Sequence, residues 1–261
     1  MTVARFGTVN VLRTCLALSV LLSVVVASPA AAAPASSQTS ISAREPVLFI
    51  GNCHTRGHGG LDWLIGNFVA AEEAPHAYEG TMVADGGATL AHHWDAGVAQ
   101  AIRSGDFDAV VLQGWLPGAP SATDEPFLEH AQNFEEVIDK TRARTIRFMS
   151  WPGGPGAWPT LDDTVDAHRR LERGLGVAVA PAAVAFERSR AERPDIELID
   201  ADGIHATWEG AYLAAATVYA TLFERSPEGL AYAFGVEPET AAYLQRVAWE
   251  TLAAWREEGA R

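Results

Sequence analysis

Apolar residues recur along this chain in two alternating rhythms, short unbroken runs and longer stretches with an apolar residue every three or four positions. The runs Val47–Ile50, Tyr78–Ala84, Asp108–Leu112, Thr145–Met149 and Val177–Ala180 read as strands. Between and after them, helical spacing covers Leu61–Val69, Ala88–Arg103 (through Leu90, Trp94, Val98 and Ile102), Phe127–Thr141 and Thr160–Leu175, the last with Asp162 and Asp163 in its first turn. Pro181 is placed to open another helix, and Trp208–Phe223 and Pro238–Glu258 complete the series. Ile196–Ile199 reads either as a final short strand or as an extended approach to Asp200–Gly203. Strand alternating with helix predicts a three-layer α/β/α sandwich around a mostly parallel sheet. Polar or glycine residues follow the first three runs, so chemistry is expected at the carboxyl ends of the strands.

The first residues break this rhythm. Arg5 and Arg13, an apolar run from Cys15 to Val26 and the small residues Ala27–Ala33 compose a secretion signal, with cleavage expected near Ala33. The run is short for a membrane span, and a cleavage site follows it directly, so no stable membrane anchor is expected. Leu12-Arg13-Thr14 lacks the small residues that lipid attachment at Cys15 would require. Residues 1–33 are therefore assigned to the signal, 34–44 to a flexible Ala/Ser/Thr/Gln leader and 45–261 to one α/β domain, secreted to the cell exterior or a periplasm.

Charge and cysteine content narrow the partners. The chain carries 19 basic against 33 acidic residues, and the signal removes two of the basic ones, Arg5 and Arg13. Such a surface repels phosphate backbones, which excludes nucleic acid as a natural partner and disfavours anionic membranes. Of the 2 cysteines, Cys15 leaves with the signal, so the mature chain has one thiol and no internal disulfide. An inert buried thiol is the commoner fate of a free cysteine. Cys53, however, follows the apolar run and the breaking pair Gly51-Asn52, where a nucleophile would face the crevice.

Three turns distant in the chain offer what acyl transfer needs. Cys53 is the candidate nucleophile, His205 the general base, and Asp202, three residues earlier, the group that orients it. Candidate oxyanion donors are the N–H of Cys53, a glycine N–H at Gly86 or Gly87, and the side-chain amide of Gln113. Each has a plainer reading: Asp202 and His205 as a turn before a helix, Gly86-Gly87 as a tight turn, Gln113 as a polar strand end. A Cys/His metal site would draw on His54, His58, His92 and His93, but adjacent histidines point apart on a helix, and Gly57 separates the other two. Trp115, Trp151 and Trp158 are candidates to line an acyl or sugar pocket.

In order and spacing these blocks resemble the SGNH, or GDSL-type, esterase family. Gly51-Asn52-Cys53-His54-Thr55 matches a Gly-Asn-Ser-x-Thr first block, Gly86-Gly87 the glycine of the second, and Asp202-Gly203-Ile204-His205 an Asp-x-x-His last block. The likeness runs from Val47 to about Phe223. It implies a hydrolase of carboxylic esters or thioesters acting on a small-molecule or acylated-carbohydrate substrate, with no cofactor. The chain departs from the pattern twice: Cys53 stands where the family has serine, and Leu112-Gln113-Gly114 offers glutamine where an asparagine is usual. The alternative implied by the first departure is a catalytically silent protein that binds an acylated carbohydrate.

Overall fold

A computed structural model describes residues 44–114, 125–153, 159–233 and 235–261. The secretion signal, nearly all of the flexible leader, Trp115 and Trp158 lie outside these residues. Five strands form one sheet in the order β2-β1-β3-β4-β5: β1 (Glu45–Gly51), β2 (Tyr78–Ala84), β3 (Ala109–Leu112), β4 (Arg144–Phe148) and β5 (Ala178–Ala180). Every pairing is parallel, with Gly51 opposite Ala84 on one side of β1 and Ile50 opposite Leu112 on the other. The chain leaves β1 toward β2 and then crosses back to β3, so the direction of winding reverses between β1 and β3. In open sheets that reversal leaves a crevice at the carboxyl ends of the two strands, where ligands bind.

Helices cover both faces, which is why the central strands β1 and β3 carry the unbroken apolar runs Val47–Ile50 and Ala109–Leu112. One face presents Val47, Phe49, Val111, Ile146 and Phe148 to α2 (Leu61–Ala70), α7 (Ala182–Glu192) and α8 (Trp208–Phe223). The other sets Leu48, Ile50, Val110 and Leu112 against α3 (Leu90–Asp95), α4 (Ala99–Ser104), α5 (Glu125–Ile138) and α6 (Leu161–Leu175). From Gly210 to Leu222 every residue of α8 is buried, because α9 (Pro238–Gly259) packs over it. A helix apolar on all sides belongs inside a protein, and α8 is such a helix. No helix among the described residues is long and apolar enough to cross a membrane.

Local chemistry sets the ends of these elements. Thr160 and Asp163 close a reciprocal capping box at the start of α6. The stretch 88–103, expected as one helix, is two: Gly97 at φ +77° ends the first, and both halves still bury residues in the same core, which preserves the periodicity. A single helical turn, α1 (Cys53–Arg56), and a 3-10 turn at Gly57–Gly59 precede α2, where only a turn was expected. Ile196–Ile199 does not join the sheet. It makes one antiparallel bridge, Ile199 to Ala206, because Thr207 folds back to give its N–H to Leu198 O and its hydroxyl to Glu197 O.

Gly210 sits where this return is tightest. A Cβ there would lie 2.0 Å from Leu198 O, a backbone atom that cannot swing aside. The opposite layer holds an unusual polar cluster: Arg147 of β4 is fully enclosed over the Phe127 ring, its guanidinium without a hydrogen-bond partner among the described residues, and Glu135 and His168 lie near it. Burial, reinforced by the Arg147 charge, drives His168 from an ordinary 6.5 to about 4 despite its bond to Thr164 O at 2.8 Å.

Two outcomes follow from this packing. Gly210→Ala lowers unfolding free energy by about 1–3 kcal/mol in urea titration, the usual cost of forcing an extra carbon into a close contact; an unchanged midpoint would contradict the contact. Because His168 stays neutral in the folded chain while the unfolded chain takes up a proton near 6.5, its contribution is complete above that pH and is lost as pH falls toward 4. The asparagine variant His168→Asn, which keeps a donor for Thr164 O, should flatten the pH dependence of stability between pH 6 and 4.5 by about 1 kcal/mol per pH unit. Parallel curves for the two proteins would refute the assignment.

Candidate active site

The crevice between β1 and β3 is built around a buried amide. At the end of β1, Asn52 caps α1 by accepting the His54 N–H at 3.0 Å, which leaves Cys53 as the first helical residue. Asn52 gives its own N–H to Gln113 Oε1 at 2.8 Å, and Thr55 Oγ1 donates to the same oxygen at 3.0 Å. Its side-chain amide donates to Ala88 O at 3.2 Å, joining this turn to the one after β2. Gly51 is required by the crowding: a Cβ would lie 2.1 Å from Thr55 Oγ1 and 2.7 Å from Gln113 Oε1. Behind the turn, buried His93 donates from Nε2 to Gly51 O at 2.8 Å, and burial lowers its pKa.

The second turn, Asp85-Gly86-Gly87-Ala88, closes with Ala88 N–H on Asp85 O at 3.1 Å and has Gly87 at φ +69°. Asp85 N–H reaches Gly51 O at 3.3 Å, so this turn lies beside the nucleophile turn. Gly86 and Gly87 are both exposed. No backbone hydrogen bond among the described residues uses the N–H of Cys53, Gly86 or Gly87. For Cys53 this is the ordinary state of a first helical N–H, which has no partner inside its own helix.

Gln113 has a different place from the open donor expected of it. It is wholly buried, its oxygen takes two hydrogen bonds from the nucleophile turn, and its nitrogen points to Ser150 Oγ at 3.4 Å. The carboxamide thus braces the turn that carries Cys53, and the extra methylene of glutamine relative to asparagine supplies the reach.

His205 and Asp202 meet on the loop before α8. Asp202 Oδ2 accepts from His205 Nδ1 at 2.6 Å, while Oδ1 takes the N–H groups of Ile204 and His205, each at 2.9 Å. These bonds, led by the one to the His205 side chain, pull the Asp202 carboxyl down to about 2. The carboxylate therefore stays ionised and fixes the imidazole with its Nε2 directed away from Asp202. Three ties hold the loop in place: Asp200 N–H on His205 O at 2.8 Å, the Ile199–Ala206 bridge, and Trp151 Nε1–H on Ile204 O at 2.9 Å. Both members of the pair remain about half exposed, at 49% and 48%.

Cys53, partly buried, and His205 open on one cavity of about 190 Å³, shared with His54, His58, Leu61, Trp151, Asp200, Ala206 and Ala211. His54 stacks on Trp151 at 4.4 Å between ring centres, and Trp151 on Phe186 at 4.4 Å. Burial, with the neighbouring His205 charge second, lowers the His54 pKa to about 3. His58 takes a left-handed backbone conformation at φ +51°, with Nε2 2.7 Å from Ala206 O and its ring 4.3 Å from that of Trp208. A larger groove of about 660 Å³ along α7 and residues 196–203 shares only Asp200 with this cavity and touches neither Cys53 nor His205. The smaller cavity is the one with the chemistry.

Sequence reasoning brought Cys53, Asp202, His205 and the glycine turn together. It did not foresee the work of Asn52 and Thr55, although an Asn before a helical turn is a familiar cap signal. It also treated His54 and His58 as unrelated, whereas the 3-10 turn brings both to the cavity wall. Among the described residues no three His, Cys, Asp or Glu side chains converge as metal ligands would.

No family model matches the chain, and no curated protein does. Solved structures do. A DUF4886 family protein from Bacteroides uniformis superposes with a TM-score of 0.63 at 17% identity, over 80% of this chain and 95% of that one. A lipase/acylhydrolase from Enterococcus faecalis gives 0.59 at 15% identity, over 69% of this chain and 96% of that one. A putative GDSL-like lipase from Parabacteroides merdae gives 0.54 at 14% identity, over 69% and 96%. With its parallel sheet, its reversal at β1/β3 and these neighbours, the chain has the three-layer α/β/α fold of the SGNH, or GDSL-type, hydrolases.

Proposed function

We propose that the chain is a secreted hydrolase that cleaves carboxylic esters or thioesters through an acyl-enzyme on Cys53. The observation that carries this reading is the 2.6 Å Asp202–His205 bond, whose His205 lines the same small cavity as Cys53. Similarity to solved structures described as a lipase/acylhydrolase and a GDSL-like lipase supports the reaction class.

In this mechanism Asp202 holds His205 Nδ1–H, leaving Nε2 to take the proton of the Cys53 thiol. The sulfur attacks the substrate carbonyl, and the developing oxyanion is received by the N–H of Cys53 and that of Gly86 or Gly87. Gln113 serves that hole indirectly, by fixing the turn from which the Cys53 N–H projects. As the tetrahedral intermediate collapses, His205 returns the proton to the departing alcohol or thiol. Water then loses a proton to His205 and attacks the thioester carbonyl; the C–S bond breaks and the proton returns to sulfur. Because a thiolate leaves more readily than an alkoxide, the first intermediate partitions backward on ordinary esters. Thioesters and activated aryl esters are therefore the favoured substrates. Removal of the signal near Ala33 would place this activity outside the cytoplasm.

Hydrolysis of a short-chain aryl thioester and the matching aryl ester by the mature protein tests the reading. Cys53→Ala and His205→Ala should each lower kcat/KM by about 10³-fold or more, with the double variant no worse than either, since members of such a unit act together. Asp202→Asn should lower it by about 10²–10⁴-fold with little change in KM. Cys53→Ser should raise the ratio of ester to thioester turnover. Wild type indistinguishable from Cys53→Ala on both substrates would remove the hydrolase reading for them and favour a protein that binds an acylated carbohydrate without cleaving it.

A further inference from the structure

We propose that the cavity beside Cys53 is an acyl pocket that selects neutral, saturated chains of about four to six carbons. The proposal rests on the acyl-enzyme reading of Cys53 and gives it a substrate class.

Position is the first argument. The cavity is walled by Cys53 and His205 and continues between the Gly57–Gly59 turn and the start of α8. A chain attached at the sulfur would thus find its enclosed space directly alongside, while the larger groove near α7 offers no contact with the thiol.

Size is the second. A cavity of about 150 Å³ lined by apolar side chains accepts a six-carbon ring. At about 190 Å³ this one has room for a chain of similar mass and little beyond it. The small residues Ala206 and Ala211 create the space, and Leu61 and Trp151 bound it.

Wall chemistry is the third. Leu61, Trp151, Ala206 and Ala211 are apolar. Of the polar lining groups, His54 is neutral at working pH, and His58 Nε2 is already engaged with the Ala206 carbonyl. Asp200 is the remaining charged wall residue beside the His205 base, and it disfavours acyl groups that end in a carboxylate. Each methylene moved from water into such a wall is worth about fourfold in binding.

Alkyl methanethiosulfonates test the pocket without asking for turnover. The Cys53 thiolate attacks the sulfenyl sulfur, an S–S bond forms, the S–SO₂ bond breaks, and methanesulfinate leaves with the electron pair. The reagent thereby places a chain of chosen length on the sulfur. Rates measured from methyl to decyl, each divided by the rate with a free small thiol, should rise about threefold or more per carbon to a maximum near butyl to hexyl and fall by octyl. Ala211→Leu should move that maximum toward ethyl or propyl. Because a larger side chain on buried α8 can disturb folding, Gly57→Leu provides a second route. Gly57 has φ −53° and ψ 150°, open to any residue, and a Cβ there meets nothing within 4 Å.

Thermal midpoints of both variants establish which of them is folded. A flat profile, a rate that climbs steadily through decyl, or a maximum unmoved in every folded variant would overturn the proposal. Aryl thioesters with two to ten acyl carbons separate the two claims. A chain-length maximum in thiol modification without hydrolysis would overturn only the hydrolase reading. Hydrolysis indifferent to chain length would overturn only the pocket.

Discussion

One buried oxygen organises this site. Gln113 Oε1 accepts from the Asn52 N–H and the Thr55 hydroxyl, at the point where β1 and β3 diverge and the sheet leaves a crevice. A carbonyl oxygen with two lone pairs, fully enclosed, can be satisfied only by donors held there, and the tight turn Gly51–Thr55 supplies both. The turn in turn requires Gly51, because any side chain at that position would collide with the same oxygen and with Thr55. Asn52 then extends the tie to Ala88, so the ends of β1, β2 and β3 are joined through two amide side chains. Loss of either amide would strand buried polar groups, at a cost of about 1–3 kcal/mol each.

Electrostatics divide the histidines near this frame into two kinds. His205 is half exposed and pairs with a carboxylate kept ionised by three hydrogen bonds, an arrangement in which an imidazolium is stabilised when it forms. His54, one residue past the nucleophile, is pressed against Trp151 and held neutral by burial, with the His205 charge second among the causes. His93 lies behind the turn as a neutral donor to Gly51 O.

Most of the sheet and its helices were legible because the central strands β1 and β3 are buried on both faces and most helices on one, which writes distinct periods into the chain. The helix over 88–103 was misread as continuous since both of its halves bury residues in one core, so Gly97 breaks the backbone without breaking the pattern. Ile196–Ile199 has the composition of a strand, but a hydroxyl and an N–H of Thr207, eight residues beyond that stretch, turn it away from the sheet. That Cys53 and His205 share a cavity, and that the Gly86-Gly87 turn lies beside Cys53, agrees with their expected place at strand carboxyl ends. The bracing orientation of Gln113 was not legible, because a strand-end amide looks the same in sequence whether it faces the cavity or the turn behind it. Nor could composition show that a left-handed residue at His58 would bring two histidines to one wall.

The loop from Asp200 to Ala206 links the Asp202–His205 pair to the shape of the cavity. It carries the Asp202–His205 pair, and its residues Asp200, His205 and Ala206 also form part of the cavity wall. The backbone bond from Asp200 to His205, the Ile199–Ala206 bridge and the Trp151 bond to Ile204 fix it at both margins. Displacing this loop to widen the cavity would therefore also shift the His205 imidazole relative to Cys53. A misplacement of about 1 Å can cost such a site about 10²-fold. In this frame the volume of the cavity and the position of the His205 imidazole are set by the same loop, so a change in one is a change in the other. That coupling does not depend on whether sulfur or oxygen stands at position 53: the frame is built from Gly51, Asn52, Thr55 and Gln113, and the side chain of residue 53 takes no part in it.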